Sequence, residues 1–212
     1  VLLKMIAVVD YDIGTVGSVF NMLRKVGAKA VITRAPDILR AADKLVLPGV
    51  GSFDEAISNL HRLELFDLLN ELVTEQHKPI LGVCLGAQLV AKSSEEGKLA
   101  GFGWIDAQIV RFKTAKDQKL RIPHMGWNTI KPTRPGIGIF ADLPEPMRFY
   151  FVHSYHMLPS SPADALATTD YGYPFVSVMG HQNVLAMQFH PEKSHKFGLQ
   201  IYKNFSEHFV SC

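Results

Sequence analysis

The chain has 212 residues, 47% of them hydrophobic and 20% charged, and its 22 basic and 20 acidic residues leave a formal charge of +2. That composition suits a single domain, 1–212, with a large apolar core, and without a block of like charge neither nucleic acid nor a membrane surface is expected as a partner. The apolar N-terminal run is too short to span a bilayer and carries no signal-peptide cleavage pattern. With Cys84 and the terminal Cys212 as the cysteines, no structural disulfide is expected, and a reducing, cytoplasmic setting is.

Met5 to Val9 is a continuous β-branched and apolar run that predicts a strand buried on both faces. A polar loop, Asp10 to Thr15, leads into a helix from about Val16 to Val26, with Val19, Phe20, Leu23 and Val26 on one face and Gly27 ending it. A strand over Ala28 to Thr33, a brief helix at Pro36 to Leu39 and a strand over Lys44 to Leu47 follow. This alternation predicts a parallel sheet with helices on both faces. Pro48-Gly49-Val50-Gly51-Ser52-Phe53 then falls at a strand's C-terminal end and opens a helix (about Phe53 to Leu60). Ligands bind at such strand ends in open α/β sheets, and two glycines let backbone N–H groups turn towards an anion, although the same residues also suit an ordinary tight turn. A further helix, Leu63 to Gln76, precedes Pro79-Ile80-Leu81-Gly82-Val83-Cys84-Leu85-Gly86-Ala87-Gln88.

That stretch has the pattern of a nucleophile elbow: a buried strand, a sharp turn at the nucleophile and a helix leaving it. The turn crowds the backbone on both sides of Cys84, Gly82 and Gly86 leave room for it, and Cys84 is expected to sit exposed at the N-terminus of the following helix. A thiol at the start of a helix is biased towards the reactive thiolate, whereas a cysteine without such a setting is usually a small buried side chain. The helix is expected to run to Lys92 and stop at Ser93 to Gly97. An acidic pair there, Glu95-Glu96, would oppose the helix dipole and suggests that one of the two has another task.

Trp104 to Phe112 alternates as a strand does, and Lys113 to Arg121 reads as a charge-rich turn. Pro123-His124-Met125-Gly126-Trp127-Asn128 sets a large aromatic and a methionine in a short Pro/Gly-punctuated segment, as at a core edge or a protein-contact surface. Pro132 to Pro146 is turn-rich. Arg148 to Val152 is a strand ending in His153-Ser154-Tyr155-His156. Thr168 to Tyr173 and Phe175 to Met179 form a hairpin, Asn183 to Phe189 a strand running into His190-Pro191-Glu192, and Phe197 to Phe209 a closing helix. The second half is richer in strands, and both halves are expected to share one sheet system.

Cys84, His190 and Glu192 are the candidate catalytic residues. A nucleophile needs a base that later protonates the leaving group, histidine does this near neutral pH, and a carboxylate fixes its tautomer. In an extended segment residues two apart face the same way, so His190 and Glu192 can share a site. The glycine loop at Gly49 to Gly51 and the N–H of Leu85 are candidate oxyanion donors. His153 and His156 could pair on a metal, but no third ligand has suitable spacing, and neither metal nor cofactor is expected.

Pro48-Gly49-Val50-Gly51, Gly82-Val83-Cys84-Leu85-Gly86-Ala87-Gln88 and His190-Pro191-Glu192, in that order, resemble the motifs of the triad-type (class I) glutamine amidotransferases. The resemblance implies an α/β, flavodoxin-like open sheet, mostly parallel and flanked by helices, with an added antiparallel strand region in the second half. It also implies hydrolysis of the L-glutamine side-chain amide through a γ-glutamyl thioester on Cys84. Within the family, Pro123 to Asn128 and Tyr150-Phe151-Val152-His153-Ser154-Tyr155 resemble the glutaminase subunits of imidazole glycerol phosphate synthase, of histidine biosynthesis. The implied partner is a (β/α)8-barrel cyclase, in a heterodimer, to which ammonia passes. Carried over by position, Gln88, Glu96, Ser154 and Tyr155 hold glutamine; Gly49, Val50, Gly51 and Leu85 form the oxyanion region; and Pro123, Met125 and Trp127 lie near the synthase. The chain alone is then expected to have low activity. It departs from the family's Asp-Tyr-Gly-x-Gly-Asn at Asp12 and Thr15, both where the partner is expected to touch, and has Ala87 where methionine is common. Those departures leave a second reading, a paralogous glutaminase subunit serving a surface-sugar amidotransferase. A γ-glutamyl hydrolase should lack the Pro-His-Met-Gly-Trp-Asn segment, and an inactive scaffold should lack part of the triad.

Overall fold

The β-branched runs of the first half form strands, as their pattern requires. In the computed structural model, which describes residues 4–113 and 120–212, the chain runs β1 (Met5–Val9), α1 (Val16–Lys25), β2 (Lys29–Thr33), α2 (Pro36–Ala41), β3 (Lys44–Gly49), α3 (Phe53–Arg62), α4 (Leu65–Asn70), β4 (Ile80–Cys84) and α5 (Leu85–Leu89). The second half adds β5 (Ser93–Ser94), β6 (Ala107–Arg111), β7 (His124–Pro132), β8 (Arg148–His153), β9 (Tyr155–Pro159), β10 (Ala165–Asp170), β11 (Pro174–His181), β12 (Val184–Met187) and α6 (His195–Glu207). The charge-rich turn expected over 113–121 lies largely outside the described residues.

The strands join in the order β2-β1-β3-β4-β12-β11-β10-β7-β8. The first five are parallel, which is the order of a flavodoxin-like sheet. Beyond β12 the pairings along this order are antiparallel; β9 and β6 branch off β11, and the short β5 pairs β6 in parallel. This is the expected α/β fold with its added antiparallel region. One face is covered by α2 to α5 through Leu39, Phe53, Leu60, Leu69 and Leu89, the other by α1 and α6 through Val19, Leu23, Ile201 and Phe205. Two buried lysines close helix ends where carbonyls have no partner. Lys44 Nζ donates to Phe205 O and Ser206 O in α6, and Lys78 Nζ donates to Leu39 O, Arg40 O and Ala42 O around the end of α2.

Three sequence expectations need correction. The helix expected over 63–76 is α4 followed by a wider π-helical turn, Glu71–Glu75. The helix after Cys84 ends at Leu89 rather than Lys92, because the chain is drawn into the sheet: Lys92 N donates to Ala107 O and Glu95 N to Ile109 O. Glu95 and Glu96 therefore do not oppose a helix dipole. The segment Pro123 to Asn128 is mostly the start of the nine-residue strand β7, held in register by β8, so Met125 and Trp127 lie on an alternating strand face.

The loop after β1 explains the departures at Asp12 and Thr15. Both residues have left-handed backbone, at φ 62° and 81°, where glycine or asparagine is favoured. Asp12 is held there by ion pairs to Arg34 (2.7 Å) and Arg62 (2.6 Å). Thr15 is β-branched, and its side chain makes no cap bond at the start of α1. Thr15→Asn is therefore expected to stabilise the protein by about 1 kcal/mol, read as a rise in Tm of about 2–4 °C; an unchanged or lower Tm would refute the strain.

Candidate active site

Three neighbouring parallel strands end at the site. Gly49 closes β3 beside Cys84 at the end of β4, and β12, paired to β4 with Met187 beside Val83, runs on to His190. Adjacent strands lie about 4.8 Å apart, so residues far apart in sequence meet at one edge. The elbow is present in detail. Cys84 has φ 54° and ψ −106°, a backbone that few non-glycine residues adopt. A Cβ on Gly86 would lie 1.8 Å from Leu47 O, and one on Gly82 would lie 2.6 Å from Gly86 O. Both glycines are thus required by backbone packed on backbone. Cys84 stands where α5 begins, as the elbow predicts, but it is buried rather than exposed, because α5 packs directly onto β3 around it.

His190 and Glu192 meet as expected, with Nδ1 and Oε1 2.6 Å apart and both side chains buried. The reason differs from the one the sequence suggests. His190 is extended, but Pro191–Lys193 is a short 3-10 turn, and the turn brings the carboxylate under the ring. Ser194 locks it: its hydroxyl donates to His190 O (2.6 Å) and accepts from Tyr150 N (3.0 Å), while His190 N donates to Tyr150 O (2.9 Å). Burial pushes the His190 pKa down, but the Cys84 sulfur and the Glu192 carboxylate outweigh it and raise it to about 9. Among the described residues Nε2 makes no hydrogen bond of good geometry, so the interaction with the Cys84 sulfur that raises the ring's pKa is a loose one, as is common before substrate binds.

A cleft of about 320 Å³ opens over these residues, lined by Cys84, His190, Val50, Gly51, Leu85, Gln88, Glu96, Ser154, Tyr155 and Pro123, with Val152 and His153. The expected substrate residues thus share one cavity with the candidate nucleophile and base. Gly49 lies beneath it: a Cβ there would meet the Tyr11 hydroxyl at 2.5 Å. Glu96 Oε2 accepts from Phe53 N (3.0 Å) at the start of α3, and burial raises its carboxyl pKa. Gln88 Nε2 donates to Tyr155 O (3.3 Å) and to Gln188 Oε1 (3.2 Å).

Of the expected interface residues, Met125 is 61% and Trp127 40% exposed on β7. Trp127 lies parallel to His195, with ring centroids 5.6 Å apart. Asp12 and Thr15 flank Gly14, where a Cβ would touch Val50, so their loop abuts the glycine loop. Sequence reasoning missed Tyr11 and Ser194. The Tyr11 hydroxyl donates to Pro48 O (2.6 Å) from full burial, and burial with Cys84 nearby raises its pKa. An aromatic in an otherwise polar loop was its only signal. Ser194 looked like any serine at the start of a helix.

Among the described residues, no group of three His, Cys, Asp or Glu could hold a metal ion, and no helix is long and apolar enough to cross a membrane. The arrangement offers a nucleophilic sulfur, a proton carrier oriented by a carboxylate, backbone N–H groups at a helix start, and a polar cleft for a small substrate.

Residues 7–209 match the family model of the class-I glutamine amidotransferases. The chain is 48% identical to imidazole glycerol phosphate synthase subunit HisH 2 of Pseudomonas aeruginosa, covering 96% of this chain and 99% of that protein. It is 47% identical to the HisH 2 subunit of Methanococcus maripaludis, covering 95% and 98%. Among solved structures, a putative GMP synthase subunit from Thermoplasma acidophilum superposes with a TM-score of 0.71 at 24% identity, covering 96% of this chain and 92% of that one. At that identity the superposition speaks for the fold alone. The fold, the elbow and near-full-length identity to HisH subunits agree: the chain belongs to the class-I glutamine amidotransferase family, among the HisH subunits of imidazole glycerol phosphate synthase.

Proposed function

We propose that this chain hydrolyses L-glutamine to glutamate and ammonia and passes the ammonia to a (β/α)8-barrel cyclase in histidine biosynthesis, in the cytoplasm. The observation that carries the reading is the meeting of Cys84, His190 and Glu192 at three adjacent strand ends, in a chain 48% identical to a HisH subunit. That kinship favours the histidine-pathway cyclase over a surface-sugar amidotransferase. Asp12 and Thr15, which raised the second reading, occupy left-handed backbone positions and alter none of the catalytic groups.

In this reading Cys84 sulfur, its proton on His190, adds to the amide carbon of glutamine. The oxyanion is met by Leu85 N–H and by N–H groups of the glycine loop, Gly49 to Gly51. His190 gives its proton to the departing nitrogen, ammonia leaves and a γ-glutamyl thioester remains. His190 then takes a proton from water as the water attacks the thioester, glutamate is released and the thiol is restored. Glu192 keeps the ring oriented and stabilises the imidazolium. Glu96, with Gln88, Ser154 and Tyr155, holds the glutamine head group, the Glu96 carboxylate facing its ammonium. Met125, Trp127, Pro123, Asp12 and Thr15 lie on the side offered to the cyclase.

The test is glutamate release by the purified chain with and without the cyclase and its ribonucleotide substrate. A large rise on adding both is expected; no complex and no stimulation would discard this partner. Cys84→Ala should abolish the activity of the complex, a loss of at least about 10³-fold; retained turnover would refute the nucleophile. Without the sulfur, His190 loses the first of the two groups that raise it, so NMR titration of Cys84→Ala should place its pKa well below the wild-type value of about 9. An unmoved pKa would mean that the two side chains do not interact. Because the Glu96 carboxyl is raised, its charge is present above its pKa and lost as pH falls through it. The KM for glutamine should therefore climb at a higher pH than the ordinary glutamate range. Glu96→Gln should have a high KM without that acid limb; a persisting limb would assign it elsewhere.

A further inference from the structure

Beside the cleft, two buried histidines on paired strands form a chain of hydrogen bonds with a determined direction. His124 on β7 and His153 on β8 stand opposite one another, and His124 Nδ1 lies 2.9 Å from His153 Nε2. Each end of the chain is anchored by a backbone group whose role is fixed. At one end, Thr129 N–H donates to Asn128 Oδ1 (2.8 Å). That assigns Asn128 Nδ2 as the amide donor, and it donates to Asp170 O (2.9 Å) and faces His124 Nε2 at 3.2 Å. His124 Nε2 must then be the acceptor, and Nδ1 carries the hydrogen. At the other end, His153 Nδ1 lies 2.7 Å from Tyr155 O. A carbonyl only accepts, so His153 Nδ1 carries the hydrogen and Nε2 accepts from His124. The two ends independently give the same direction for the middle bond.

A second proton on either ring breaks this chain. On His124 it would set N–H against the Asn128 amide N–H; on His153 it would set two ring N–H groups against each other. The environment also opposes a charge. His124 lies between the rings of Phe151 and Tyr171, at centroid distances of 4.8 and 4.0 Å. Burial lowers its pKa to about 4 and that of His153 to about 3. The titratable groups that act on His153 are His124, His156 and His190, with no carboxylate among them.

The Tyr155 carbonyl at the end of the chain is shared. It also accepts from Gln88 Nε2, which leaves Gln88 Oε1 as the acceptor of a side chain that lines the cleft with Cys84. Resting on the glutaminase reading above, we propose that His124 and His153 are positioning residues for glutamine. As a one-way chain of neutral hydrogen bonds they fix the Tyr155 carbonyl, and through it the Gln88 carboxamide, in the orientation that the substrate meets. Their effect falls on substrate binding and not on the chemical step, because neither ring exchanges a proton in the reaction.

Two measurements test this. Histidine ¹⁵N NMR of the full chain should find both rings as neutral Nδ1–H tautomers at pH 7 and unchanged to pH 5. An Nε2–H tautomer at either ring, or titration near 6.5, would overturn the proposal. In the complex with the cyclase, His153→Leu should raise the KM for glutamine about 10-fold, the scale of one lost buried hydrogen bond, with kcat little changed. His153→Asn, whose amide N–H can stand where Nδ1–H stood, should restore most of the KM; equal KM values for the two variants, or a fall in kcat alone, would overturn the positioning role. Should His153→Leu fail to fold, the NMR result and the Asn variant still decide. A wild-type complex without glutaminase activity would overturn the reading beneath this proposal and the proposal with it. An active wild-type complex with an unmoved KM in His153→Leu overturns this proposal alone.

Discussion

The site depends on backbone packed directly against backbone where β4 turns into α5. Gly86 sits so close to Leu47 O that a Cβ would lie 1.8 Å from it, and Gly82 is closed off by the first turn of the helix. With no side chain to hold the layers apart, α5 descends onto β3 and the turn between them has no room to relax. Cys84 is forced to φ 54°, which lifts the sulfur out of the sheet and points it towards the edge where β3 and β12 also end. Such strain persists only where the surroundings over-determine it. Here they do so through two glycines, a parallel register and a fully buried short helix. The glycine loop is held from below by Tyr11, whose hydroxyl grips Pro48 O and fills the space a side chain at position 49 would need.

The electrostatics of the site follow from what each histidine meets. All four histidines around the cleft are largely buried, and burial alone disfavours the charged ring. His190 escapes that fate because Glu192 bonds one side of it and Cys84 sulfur lies near, so its pKa goes up. His124 and His153 meet neutral hydrogen-bond partners and aromatic rings, and burial takes theirs down; it does the same for His156 against the opposing charge of Glu95. One residue type is thereby divided into a ring whose charged form is favoured, as a candidate proton carrier needs, and rings whose neutral form is favoured. The division is local: His153 and His190 line the same cavity.

Lysines show a related economy in the scaffold. Lys44 and Lys78 are buried and form no ion pair among the described residues; the charge of Asp43 acts on both, and their ammonium groups meet the free carbonyls at the ends of α6 and α2. Burial lowers both pKa values, Lys44 to about 8. Each lysine ties a helix to the sheet and satisfies helix-end carbonyls that would otherwise be buried without donors.

The sequence by itself determined the parallel half of the fold and singled out the candidate triad Cys84, His190 and Glu192, because both are written in local patterns. Apolar runs of strand length alternate with helical periodicity from Met5 to Cys84. A cysteine between two glycines at a strand end has few other uses, and a His-x-Glu after a late strand supplies what such a cysteine needs. The tertiary structure decided everything that rests on contacts between distant residues. Val90 to Lys92 left the helix because β6 offered carbonyl partners to Lys92 N and Glu95 N. His124 to Pro132 became a strand because β8 lay beside it, whatever its Pro/Gly punctuation suggested. Tyr11 and Ser194 matter only through what they touch, Pro48 O in one case and His190 O and Tyr150 N in the other. Glu192 reached His190 through a 3-10 turn rather than an extended strand, since residues two apart share a face only while the backbone stays extended. Periodicity and spacing are properties of a segment; tautomers, pKa shifts and hydrogen-bond direction belong to the neighbours a segment acquires, and those appear only once the chain has folded.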